Sequence, residues 1–166
     1  MRAQIASIDL LLSTIALSVL ALTLITFIEA EIRNTESATA DERRDAFSFA
    51  AVQELALTPG SPENWDIDSC ERIGLSCAEG ELCAEKISLL SSLYSSDYNG
   101  TKRLLGLGAY DVSILICAPY DYSSCDYNFS TQAREDDRAG SNHVSRAEAL
   151  STLGGKTVSV IIYAWE

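Results

Sequence analysis

Histidine is nearly absent from this chain, His143 being the single imidazole in 166 residues. No G-x-S-x-G elbow, Gly-rich phosphate loop or H-E-x-x-H pair occurs either, so acid–base, phosphoryl-transfer and zinc-hydrolase chemistry find nothing to build on. Carboxylates are plentiful, but among 24 of them neighbouring positions carry no information. The expectation is a protein that is not an enzyme and needs no cofactor. Basic side chains are scarce, 12 Lys and Arg against 24 Asp and Glu, for a net charge of -12. Nucleic acid requires a basic footprint, so it is not an expected partner. Proline and glycine do not occur before Pro59. Nothing in that long stretch breaks a helix.

What is there begins with an uncharged run from Leu10 to Ile28, LLLSTIALSVLALTLITFI. As a helix at about 1.5 Å per residue it spans about 28 Å, enough to cross a bilayer. A helix that is apolar on every face must sit in lipid or against copies of itself. Arg2 precedes the run and Glu29 and Glu31 follow it, so the positive-inside bias puts the N-terminus in the cytoplasm and the rest outside. A cleaved secretory signal fits poorly, because Phe27-Ile28-Glu29-Ala30 is not a small-residue cleavage site. A plain single-span anchor fits the same length and flanking charge. Asp9, an ionisable group at the edge of an apolar helix, needs a partner.

The stretch Gln4, Ser7, Asp9 before that run resembles the archaeal type IV pilin-like proteins with a class III signal peptide, whose leader motif is Q-x-S-x-E/D. The resemblance implies removal of a short leader by a prepilin peptidase, with Ala3, Gln4 and Ile5 around the cut. Cleavage before Gln4 makes Asp9 the sixth mature residue, and cleavage before Ile5 makes it the fifth, the place the family gives its acid. It also implies that Asp9 neutralises the new terminal amine of the same or a neighbouring subunit. The filament core would then be lined by Leu10, Ser13, Leu17, Leu20, Leu24 and Phe27. Small Ser13, Thr14, Ser18, Thr23 and Thr26 allow close helix approach. Leu57 to Trp65, with Pro59 and Pro62, is similar to the turn that follows the long helix in this group. Ile73-Gly74-Leu75, Leu82 to Leu89, Leu104 to Leu107 and Tyr110 to Ile114 are similar in type and order. The partners implied are further copies of the chain in a helical homopolymer, the prepilin peptidase with the pilus assembly machinery, and the membrane before assembly. The competing reading is a single-span, membrane-anchored extracellular binding or adhesion domain, with a minor pilin between the two.

The order of elements points to an α+β fold. Residues 1–28 form the leader and the apolar membrane or filament-core helix, 29–57 continue that helix, and 58–166 form an extracellular head. Phe47, Ala50, Ala51, Val52 and Leu55 make an apolar stripe expected to dock on the head. Cys83 to Tyr94 reads as a helix, and Asp97 as the cap of a second one reaching Leu105. Strands are expected over Tyr110 to Cys117, Val144 to Leu153 and Lys156 to Trp165, with Gly154-Gly155 as a hairpin turn in an antiparallel sheet. A Tyr-, Ser- and Asp-rich segment from Pro119 to about Asn142 reads as a surface loop. There Tyr120, Tyr122 and Tyr127 either pack on the sheet or touch a partner, and Glu135-Asp136-Asp137 is a solvated charge run.

All five cysteines, Cys70, Cys77, Cys83, Cys117 and Cys125, fall in the part expected outside, where thiols oxidise. Their spacings match no zinc signature. Cys117 with Cys125, tying off the loop after a strand, and one bridge within Cys70, Cys77 and Cys83 are the favoured pairs. Asn99-Gly100-Thr101 and Asn128-Phe129-Ser130 are sequons that fit glycosylation of a surface protein.

Overall fold

The computed structural model describes residues 2–78, 80–119, 125–129, 138–141 and 143–166, with the backbone alone for 2–11, 34, 36 and 37. Two compact units divide the chain, Met1–Ala40 and Asp41–Glu166. Helix α1 is Arg2–Leu57.

In the first unit the described helix is apolar all round from Leu12 to Ile28. Every described side chain from Leu12 to Arg33 is exposed. Hydroxyls in this stretch return to the helix's own backbone, Ser18 Oγ donating to Thr14 O at 2.8 Å, Thr23 Oγ1 to Leu20 O at 2.8 Å and Thr26 Oγ1 to Thr23 O at 2.9 Å. Polar atoms satisfied in this way do not oppose an apolar environment.

In the second unit α1 presents a face made of Arg44, Ser48, Ala51, Val52, Leu55 and Ala56, all buried. That face is turned from the expected one. Phe47 is 49 % exposed and Ala50 is also exposed, because the buried stripe admits Arg44 and Ser48, which a search for apolar residues passes over. Arg44 is tolerated because its Nη2 meets Asp41 Oδ1 at 2.6 Å. The helix ends where Thr58 N and Oγ1 both donate to Glu54 O, at 3.1 and 2.8 Å. Pro59 follows and disfavours helix at Thr58. Gly60 takes φ +83°, and a Cβ there would stand 2.6 Å from Arg72 O. Only glycine fits that position.

The segment after the turn folds back on the helix end. Ser61 and Arg72 exchange backbone hydrogen bonds of 2.9 and 3.2 Å, and the buried Trp65 Nε1 donates to Gly74 O at 2.9 Å. There follow β1 (Ser76–Ala78), β2 (Glu81–Leu82), α2 (Ala84–Ser96), α3 (Tyr98–Leu104), β3 (Asp111–Cys117), β4 (Cys125–Phe129), β5 (Val144–Leu153) and β6 (Lys156–Trp165). They build one six-stranded sheet in the order β1-β2-β5-β6-β3-β4. All pairs are antiparallel except β2 with β5, which run parallel at Glu81 and Thr152. The sheet is therefore mixed rather than wholly antiparallel.

The helices and the strands from Asp111, Val144 and Lys156 fall where the sequence places them, and Gly154-Gly155 turns between β5 and β6. Asp97 accepts from Gly100 N at 2.8 Å and caps α3. β4 departs from expectation, lying inside the segment read as a loop. Its Asp126 and Asn128 are poor strand formers, and it is held by the cystine to β3 and by Phe129, which packs in the core. That core joins Val52 and Leu55 of α1, Ile87 and Leu90 of α2, and Ile114, Val160 and Ile162 of the sheet. Each such side chain contributes about 1.5–3 kcal/mol by leaving water.

Candidate functional site

Among the described residues, the apolar surface of the N-terminal helix from Leu12 to Ile28 is exposed throughout. Leu17, Leu20, Leu24 and Phe27 recur at three- and four-residue spacing, which places them along one stripe, and Leu17 is 74 % and Phe27 64 % exposed. The apolar region has a mean hydropathy of 2.0 and none of it is buried, so the helix is long and apolar enough to cross a membrane. Ser13 lies on the described helix surface. Ala3, Gln4, Ile5, Asp9 and Leu10 follow the helical backbone, and their side chains lie outside the described residues.

The cysteines sort into two disulfides and one thiol. Cys77 bonds to Cys83 across the β1–β2 turn, and Cys117 to Cys125 across the β3–β4 connection. Cys70 stays reduced and half-buried, and burial pushes its thiol pKa up. Two disulfides in the second unit fit an oxidising environment outside the cell.

Asn99 is exposed on α3, while Thr101 of the same sequon is buried and donates its hydroxyl to Asp97 O at 2.8 Å. Asn128 is exposed on β4, and its partner Ser130 lies outside the described residues. Tyr127 is half-buried and stacks on Phe129 at 6.3 Å between ring centroids, so this tyrosine packs on its own sheet. Tyr120, Tyr122 and the Glu135-Asp136-Asp137 cluster lie outside the described residues. His143, just before β5, sets its Nδ1 3.4 Å from Asp41 Oδ2 at the surface.

Sequence reading did not find a cavity of about 590 Å³ in the second unit. It lies between α1 at Phe47 to Glu54, the Glu71-Arg72 segment and the end of α3 through Gly106. Arg72 reaches Glu54 Oε1 at 2.6 Å, and Arg103 lines the same space. These residues are far apart in the chain, and the turn and cap that bring them together are tertiary features, so no local pattern announces them.

Lys86 is a second buried cation. Its Nζ donates to Pro59 O at 2.7 Å and Ser76 O at 3.0 Å, tying α2 to the end of α1 and to β1. Desolvation lowers its pKa from the usual lysine value, and Glu63 opposes that shift.

No protein-family model matches this chain, and no curated protein or solved structure is significantly similar to it. Fold and surfaces define the class on their own. This is an α+β protein with an N-terminal helix long and apolar enough to cross a membrane and a second unit containing two disulfides.

Proposed function

We propose that the chain is a structural subunit of an archaeal type IV pilus-like surface filament and polymerises through its N-terminal helix. The observation that carries this reading is the single helix Arg2–Leu57, exposed and apolar from Leu12 to Ile28 and contributing Val52 and Leu55 to the hydrophobic core of the second unit. The Gln4, Ser7, Asp9 leader resemblance and the acid-rich, disulfide-bearing head support it.

Assembly transfers the apolar helix from lipid into a bundle of like helices. Lipid and bundle are equally apolar, so hydrophobic transfer contributes little, and close packing and polar pairing select the assembled state. After leader removal, Asp9 would meet a terminal amine in that bundle. Removing one partner of a buried ion pair costs about 3–5 kcal/mol, far more than a surface pair.

Asp9→Ala is therefore expected to abolish surface filaments while the protein still enters the membrane fraction in normal amount. Filament counts by negative-stain microscopy, with membrane-fraction immunoblots, measure both. Wild-type numbers of filaments from the variant would contradict the reading and favour the membrane-anchored domain.

A further inference from the structure

The cavity beside α1 is built by rigid parts. Its first wall is the helix face carrying Phe47 and Glu54. Its second is the Glu71-Arg72 segment, fixed by the backbone exchange with Ser61, to which Glu71 N adds a bond to Ser61 O at 2.9 Å. Its third is the end of α3, capped by Asp97 and anchored by the buried Leu105. A preformed space of about 590 Å³ lies within the size range of small-molecule sites.

The chemistry of the walls is selective. Arg72 is already neutralised by Glu54. Among the described residues no carboxylate lies within ion-pair distance of Arg103, in a chain where acids outnumber bases two to one. The Arg103 stem is placed by Gly108, where an added Cβ would stand 3.1 Å from Arg103 Cγ. Glycine there leaves room for the arginine to lie across the turn. Phe47 offers an exposed ring at the same cavity.

A guanidinium fork recognises a carboxylate. An aromatic face takes an apolar C–H surface such as one side of a pyranose ring. Glu54 and Glu71 accept hydrogen bonds from hydroxyls and repel polyanions. Strand addition of a peptide would need a free strand edge, and the cavity is lined by helix, turn and the bridged segment alone.

We propose that this cavity binds an acidic sugar, its carboxylate on Arg103, its ring against Phe47 and its hydroxyls on Glu54 and Glu71. The site lies wholly in the second unit and does not rest on the filament reading.

Calorimetric titration of the full chain in detergent micelles with D-glucuronate tests it, with D-glucose for the ring without charge and acetate for charge without a ring. Arg103→Ala and Phe47→Ala change exposed side chains, and thermal unfolding verifies that each variant stays folded. Saturable glucuronate binding is expected, weakened at least about tenfold by each substitution, with glucose and acetate at least about tenfold weaker than glucuronate. Absence of glucuronate binding, binding that neither substitution moves, or acetate binding as tightly as glucuronate would each overturn the proposal.

Discussion

Lys86 shows how one side chain sets the geometry where the long helix ends. Its ammonium donates to Pro59 O, just past the end of α1, and to Ser76 O in β1. Lys86→Met removes both hydrogen bonds, and a loss of about 1–3 kcal/mol is expected in chemical denaturation. The pH dependence has a definite sign. Burial depresses the folded-state pKa below the unfolded value of 10.5, so the unfolded chain holds the proton more tightly. The stabilising contribution of this titration is present above the unfolded pKa and is lost as pH falls through the folded one. Wild type should therefore gain stability relative to Lys86→Met between neutral pH and pH above 10.5, and a gap that stays constant would show that Lys86 titrates normally. The cysteines make a separate prediction. Alkylation of the denatured, unreduced chain should add one label, on Cys70, and prior reduction should raise that to five, as read by intact mass.

At the scale of elements, stability rests on α1 from Arg44 to Ala56 and on the strands facing the same core. Leu55 is fully buried there, and Leu55→Ala should cost about 2–5 kcal/mol through lost burial and the cavity left behind. Asp97→Ala removes the cap of α3 and should cost about 1 kcal/mol. Equilibrium unfolding of the two variants checks the order, and a larger loss at Asp97 than at Leu55 would contradict it. Most of these elements were legible in the sequence because their signals are local. Absence of Gly and Pro before Pro59, β-branched runs in β3 and β6, and the Gly154-Gly155 turn each act within a few residues. β5 is fainter, since its buried positions are Ser145, Ala147, Ala149 and Ser151, small residues that alternate without a strong apolar contrast. The two short strands β1 and β2, the strand β4 and the outward turn of Phe47 were not legible. Each depends on a disulfide or on which face of a helix meets the sheet, and those are tertiary outcomes. The Arg103 cavity escaped for the same reason.

At the scale of the whole molecule, a chain that is apolar at its start and strongly acidic afterwards has to satisfy two solvents. Residues 1–28 contain only Arg2 and Asp9 as charged side chains, so the net charge of -12 belongs to the rest. Such a charge keeps the head solvated and opposes casual head-to-head association. In the proposed filament, association is left to the apolar helix, and leader cleavage would supply the amine proposed to pair with Asp9. Cryo-electron microscopy of filaments sheared from the producing cells, with mass spectrometry of their N-terminus, tests this most directly. The account predicts helical filaments of this chain, their N-terminal helices bundled in the core and their first residue Gln4 or Ile5. Finding the chain only in membranes, monomeric and with its leader intact, would contradict it.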